Sequence, residues 1–161
     1  MSSPKAVGLG FVGTGMISDT YLENLTSFAD VRVVIVGDLD QQRARRQAEK
    51  YDVPAWGTSE DVLAHPDVEI VVNLTIPAAH AEIASQAIAA GKHVWSEKPI
   101  SIDRATGRAL LDQAEAAGLL VGVERHATSA LIDRWGPTST DQRCPTAAAG
   151  TRQVITRLTA S

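Results

Sequence analysis

Val12-Gly13-Thr14-Gly15-Met16-Ile17-Ser18 is the stretch that decides the fold. The run Ala6–Val12 leading into it is apolar and strand-like. Ile17–Leu25 follows with Ile17, Tyr21, Leu22 and Leu25 at helical spacing. A glycine turn between a strand and a helix presents the helix N-terminus, whose first N–H groups lack intrahelical partners and whose dipole favours an anion. Two glycine registers can be drawn. Gly8, Gly10 and Gly13 put the tight turn inside the apolar run and leave too short a strand before it. Gly13, Gly15 and Ser18 leave the whole of Ala6–Val12 as strand and start a helix directly after, as the G-x-G-x-x-G mechanism requires. In that register Gly13 makes the turn, and Gly15 lets a pyrophosphate approach the backbone beside Thr14, Met16 and Ile17. Ser18 stands in for the third glycine where the helix nears the strand. The reading is nucleotide binding; the alternative is a glycine-rich turn closing an α/β domain that binds nothing.

Strand-like and helix-like segments alternate through the next hundred or so residues. Val31–Val36 is β-branched at every position but Arg32, as expected of a strand buried on both faces. Asp40 is placed to cap a helix over Gln41–Tyr51. Pro54–Gly57 reads as a short extended piece, and Thr58 with Asp61 as a capping arrangement for Ser59–Ala64. Ile70–Leu74 is another buried strand. Pro77 opens a helix that Gly91 stops. His93–Ser96, a helix over Asp103–Ala117 ended by Gly118, and a strand over Leu119–Val123 complete the series. This alternation implies βαβ crossovers and an α/β fold, a doubly wound parallel sheet forming a single domain over residues 1–123. In such a sheet ligands bind at the carboxyl ends of the strands, where strand order reverses. Residues 124–161 contain no lysine and hold no clear period. Short turns of structure over 131–135 and 154–158 and otherwise a poorly ordered tail are expected there.

Composition narrows the partners. A chain of 161 residues is one domain by size. Its net charge of −4 disfavours nucleic acid and anionic membrane as main partners. Arg43, Arg45 and Arg46 read as a solvated helix face flanked by acids. Cys144 is the sole cysteine, so no internal disulfide forms, and no Cys/His spacing suggests a metal. No apolar run approaches the about 20 residues needed to span a bilayer, and no signal-peptide pattern is present, so a cytoplasmic protein is expected.

The other candidate site residues all fall at strand ends. Asp38 closes the second strand, where a carboxylate accepts hydrogen bonds from both hydroxyls of an adenine-side ribose and repels a 2′-phosphate. NAD is therefore expected over NADP. Leu74-Thr75-Ile76-Pro77 ends the fourth strand, where its backbone lies along the ribose and nicotinamide side. His80, one helical turn on, is expected to face the same cleft, although alone it reads as a helix-surface histidine. His65 and His93 are read as structural. Glu97-Lys98-Pro99 ends the fifth strand. Pro99 stiffens the exit and biases Lys98 towards an extended backbone, which aims its ammonium into the cleft. A cation there polarises a substrate hydroxyl; otherwise a Glu-Lys pair is a surface ion pair worth under about 1 kcal/mol.

Together these stretches resemble the Gfo/Idh/MocA family of oxidoreductases. The matching segments are Val12–Leu22, Gly37-Asp38-Leu39-Asp40, Asn73-Leu-Thr-Ile-Pro-Ala-Ala-His80-Ala-Glu82 and Gly91-Lys-His-Val-Trp-Ser-Glu97-Lys98-Pro99-Ile100. The last is the most specific. Trp95 stands where relatives often carry a smaller or phenolic side chain, a change not expected to alter the chemistry. The resemblance implies a Rossmann cofactor domain followed by a larger α/β domain. It implies hydride transfer between the nicotinamide and a hydroxyl of a sugar, inositol or related polyol. It also implies that Lys98 contacts both substrate and cofactor, while an aspartate and a histidine of the second domain complete the site. Residues 124–161 do not resemble the family continuation, and no convincing D-x-x-x-H segment follows Val123. The expectation is therefore a truncated, catalytically impaired oxidoreductase. The alternatives are a non-catalytic nucleotide-binding module or enzyme remnant, and an interaction protein using the exposed docking face. The family also implies a possible homo-oligomer.

Overall fold

The computed structural model of the protein describes residues 6–123; the readings made for 124–161 lie outside the described residues. Eleven elements follow one another. They are β1 (Val7–Val12), α1 (Met16–Leu25), β2 (Val31–Gly37), α2 (Gln41–Lys50), β3 (Trp56–Gly57), α3 (Ser59–Ala64), β4 (Ile70–Asn73), α4 (Pro77–Ala89), β5 (His93–Ser96), α5 (Arg104–Ala117) and β6 (Val121–Val123). The strands form one parallel sheet in the order β3-β2-β1-β4-β5-β6, the doubly wound Rossmann order. The chain starts in the middle, winds out to β3, then crosses back to β4. The reversal falls between β1 and β4, so the cleft opens above their carboxyl ends.

The sequence reading differs from this mainly at element ends, and hydrogen bonds explain why. Leu119 and Leu120 lie outside β6 because the Leu119 N–H goes to the Ala114 carbonyl and the Leu120 N–H to Nδ1 of His93. Neither donor is left for the sheet ladder. The helix expected from Ile17 begins at Met16, and the strand expected through Leu74 ends at Asn73. The helix caps form as read. Asp40 accepts the Gln42 and Arg43 N–H groups, Thr58 and Asp61 form a reciprocal capping box, and Gly118 takes the left-handed conformation after α5.

Side chains alternate across the strands and build two cores. Leu9, Phe11, Ile70, Val72 and Trp95 pack with Leu22 and Leu25 of α1 and Ala48 of α2. Val71 and Val94 point the other way, against Val62 of α3, Ala84 and Ile88 of α4 and Leu110 of α5. Gly10 falls on this second face. A Cβ there would stand 2.7 Å from a methyl of Val62 and 2.8 Å from one of Val68, so Gly8 and Gly10 belong to packing rather than to a turn. Among the described residues no helix is long and apolar enough to cross a membrane.

Lys92 anchors the opposite edge of the sheet. It is buried, and its ammonium donates to the carbonyls of His65, the C-cap of α3, at 2.9 Å and of Val68 at 2.8 Å. Burial pushes its pKa below 10.5. Lys92→Ala strands the Val68 carbonyl, leaves the His65 carbonyl with only the Val68 N–H and removes the stem packing, and is expected to cost about 2–3 kcal/mol in denaturant unfolding. The pH dependence has a definite sign. With the folded pKa lowered, the unfolded chain binds the proton more tightly. The wild-type advantage over the variant therefore grows as pH rises from the folded pKa through 10.5, and shrinks as pH falls back. A difference that narrows with rising pH would contradict this account.

Candidate functional site

Four strand exits meet along the carboxyl edge of the sheet. Gly13 follows β1 with φ +98° and donates its N–H to the Gly37 carbonyl at 2.8 Å. Gly15 is the N-cap of α1 and offers no side-chain cap to the helix. A Cβ built on Gly15 meets no protein atom within 4 Å. The start of α1 thus presents N–H groups without a side-chain cap to open space, as an anion site requires. Ser18 is fully buried at the third-glycine position. Its hydroxyl donates to the Gly15 carbonyl at 2.6 Å and accepts from Nε2 of Gln47 at 2.8 Å, tying α1 to α2.

Asp38 sits at the neighbouring exit. Its Oδ2 accepts from the backbone N–H of Thr14 at 2.7 Å and from the Thr14 hydroxyl at 2.8 Å; its Oδ1 accepts from the Asp40 N–H at 2.9 Å. The guanidinium of Arg43 lies 3.9 Å from Oδ2. Burial raises the carboxyl pKa, but the hydrogen bonds from Asp40 and Thr14 and the charge of Arg43 outweigh it, so the net shift is below 3.8. Asp38 is therefore a fixed negative charge at neutral pH. Arg43, read from sequence as one of a solvated face flanked by acids, is about half exposed and lies 3.6 Å from Asp40 and 3.9 Å from Asp38.

The exits of β4 and β5 form the other half. Leu74 is buried and donates its N–H to the Val12 carbonyl at 2.8 Å. The Thr75 N–H and hydroxyl both go to Oδ1 of Asn73, at 3.3 and 2.7 Å. Ile76 is 69% exposed at the N-cap of α4, ahead of Pro77 at its first turn. Glu97 donates its N–H to the Asn73 carbonyl at 3.1 Å, and its Oε1 accepts from the Tyr21 hydroxyl at 2.6 Å. That hydroxyl also accepts from the Trp95 indole N–H at 3.3 Å. Lys98 is exposed at the edge, and the Lys98–Pro99 peptide is cis.

His80 departs from the sequence reading. It is 1% exposed, so it is neither a surface histidine nor a side chain lining the cleft. Both ring nitrogens point at protein carbonyls, Nδ1 at Pro99 and Nε2 at Thr75. The reason is that the first turn of α4 tucks under the loop after β5. His65 and His93 each accept a backbone N–H, from Asp67 and Leu120.

The sequence reading placed Met16 beside the pyrophosphate but assigned no role to Leu39 or Asn73. Leu39 is 99% exposed directly after Asp38, and Met16 is 93% exposed at the start of α1. Large apolar side chains held out at the two exits offer a surface for a flat ring. The signal for Leu39 was an apolar residue between two acids. Asn73 is fully buried and bonds three neighbouring segments, and a lone Asn closing an apolar strand was its only trace.

The chain was compared with known proteins. Residues 7–125 match the Gfo/Idh/MocA model, described as an oxidoreductase family with an NAD-binding Rossmann fold. Inositol 2-dehydrogenase of Gluconacetobacter diazotrophicus is 32% identical over 133 residues, which are 79% of this chain and 40% of that protein. GenD2 from gentamicin A biosynthesis, solved in complex with NAD, superposes with a TM-score of 0.71 at 29% identity, covering 76% of this chain and 35% of that one. KijD10, a 3-ketoreductase from Actinomadura kijaniata solved with NADP and TDP-benzene, gives 0.74 at 25% identity, covering 81% and 42%. The chain thus spans between 35% and 42% of these relatives' lengths. Motifs, strand order and relatives agree: the chain belongs to the Gfo/Idh/MocA oxidoreductase family and carries the part of it that binds the nicotinamide dinucleotide.

Proposed function

We propose that residues 1–123 form the cofactor domain of a cytoplasmic dehydrogenase that prefers NAD to NADP and acts on a hydroxyl of a sugar, inositol or related polyol. The observation that carries this reading is the pairing of an open, uncapped helix start at Gly15 with the ionised Asp38 at the next strand exit. The N–H groups of α1 would hold the pyrophosphate, with Thr14, Met16 and Ile17 around it. Asp38 would accept the adenine-side ribose hydroxyls, and Leu39 would cover the adenine. Leu74, Thr75, Ile76, Pro77 and Glu97 would border the nicotinamide side. When bound, the nicotinamide supplies the hydride acceptor. Lys98 would donate a hydrogen bond to the substrate hydroxyl oxygen and hold it at the nicotinamide face.

Hydride transfer also needs an acceptor for the hydroxyl proton and exclusion of water. The chain spans 40% of the length of the inositol 2-dehydrogenase it resembles. The 161-residue chain on its own is expected to bind the cofactor and to turn over polyols slowly or not at all. A second reading is a nucleotide-binding unit without turnover, which dinucleotide binding with no polyol oxidation would support.

Calorimetric titration with NAD and NADP, with a polyol oxidation assay on the same sample, tests both readings. Asp38→Ala is expected to weaken NAD binding about 10- to 100-fold, since hydrogen bonds to a charged acceptor are lost. It should also narrow the preference over NADP, because the repelling carboxylate goes and Arg43 stays. Unchanged affinity for both cofactors would mean that the adenosine end lies elsewhere.

A further inference from the structure

We propose that His80 is a positioning residue: its imidazole fastens the exit of β4 to the exit of β5 and so fixes the backbone that carries Lys98. The inference rests on the reading above, in which those two exits border the nicotinamide and Lys98 serves it.

The geometry is specific. Nδ1 stands 2.6 Å from the carbonyl oxygen of Pro99, the residue after Lys98. Nε2 stands 2.8 Å from the carbonyl oxygen of Thr75, the second residue beyond β4. A carbonyl only accepts, so a neutral ring donates to one of the two carbonyls while packing against the other, and only a doubly protonated ring donates to both. One buried side chain thus spans the two loops that flank the nicotinamide side of the cleft. Asn73 reinforces the same span from below. Its amide donates to the His80 carbonyl at 2.9 Å, its Oδ1 takes the Thr75 donors, and its own carbonyl accepts the Glu97 N–H. The loop of residues 97–99 is therefore held at Glu97 by Asn73 and at Pro99 by His80, with Lys98 between the two ties.

A histidine that merely filled space would need one partner and could sit anywhere in the core. Here neither nitrogen faces an apolar neighbour, and both partners belong to the proposed site. Among the described residues, the bonds that hold the adenosine half, on Thr14, Asp38 and Asp40, are separate from this network. That separation makes the proposal testable. Loss of His80 should disturb nicotinamide-side binding while leaving adenosine-side binding in place.

The test uses the full chain with NADH and with ADP-ribose, which lacks the nicotinamide. His80→Ala should weaken NADH about tenfold or more and ADP-ribose less than about twofold, as expected for losing one well-placed tie. Hydrogen exchange without any cofactor gives an independent readout. The Glu97 amide should exchange about tenfold faster, while the Thr14 and Asp40 amides keep their protection. His80→Asn places an amide nitrogen near the position of Nδ1 and should restore NADH affinity and Glu97 protection. His80→Gln reaches only the position of Nε2 and should not. Equal weakening of both ligands, weakening of neither, or rescue by Gln instead of Asn would each overturn the proposal. If wild type bound neither ligand, the cofactor reading would have failed, and the exchange pattern alone would then decide whether His80 ties the two exits.

Discussion

Gly15→Val is expected to leave the protein folded and to abolish measurable dinucleotide binding. Gly15 has φ −75° and ψ −172°, an extended conformation that valine adopts readily. A Cβ at this position meets no protein atom within 4 Å, so the added side chain enters space that the protein does not use. The stability change should stay within about 1 kcal/mol, as for surface substitutions away from special features. The same space is where a pyrophosphate has to come to reach the N–H groups of α1. Two branched methyls there keep the phosphates out of hydrogen-bond range. Losing two charge-assisted bonds at about 1.5–3 kcal/mol each predicts a fall in affinity on the order of 10²–10⁴-fold. Calorimetry on the variant, with a denaturant curve on the same sample, checks both halves. Full NAD affinity in Gly15→Val would mean that the Gly13, Gly15, Ser18 register is not the phosphate cradle.

How much of this was legible before the structure follows from where each signal is written. The doubly wound sheet was legible because its central strands are mostly apolar, interrupted in β2 only by Arg32 and closed in β4 by Asn73, and both faces of such a sheet are covered by helices. The caps at Asp40 and Thr58 were legible because a cap is a contact within a few residues of sequence, whereas Asp103, read as the first helical residue, is the N-cap of α5. Asp38 was placed at the site because it follows a strand at a fixed step. What stayed hidden were side chains whose partners come from other elements. Tyr21 reads as one more apolar position on a helix, yet its hydroxyl holds Glu97 across 76 positions of sequence. His80 reads as exposed or cleft-facing because helical spacing gives the face of a helix but not what covers it. Asn73 looks like a strand terminus, and only the register of β1, β4 and β5 shows that three segments converge on it. The second glycine register dissolved for a related reason: Gly8 and Gly10 answer to α3 and the loop after it, which arrive from some fifty positions away.

Gly13→Ala should behave in the opposite way to Gly15→Val and unfold the protein more easily before any ligand is considered. Gly13 has φ +98°, which an L side chain rarely adopts and which costs roughly 1–2 kcal/mol outside glycine. Its Cβ would stand 2.6 Å from the Leu74 carbonyl oxygen, 2.7 Å from its carbon and 2.9 Å from the Thr75 nitrogen. All three are backbone atoms at the exit of β4. They cannot swing aside, because Leu74 is bonded to the Val12 carbonyl and Thr75 to Asn73. Relief requires β1 and β4 to part at the centre of the sheet, an overpacking cost of about 1–3 kcal/mol more. The sum, roughly 2–5 kcal/mol, is a large share of the 5–15 kcal/mol that holds a typical domain folded. Thermal unfolding should move down by about 10 °C or more. Dinucleotide binding should weaken as well, since the turn that aims α1 is displaced. The two glycines thus separate two demands made on one loop. Gly13 is required by the neighbouring strand, and on the proposed reading Gly15 is required by the ligand. A Gly13→Ala protein as stable as wild type would show that β4 does not press against the turn, and the cleft built on that contact would have to be redrawn.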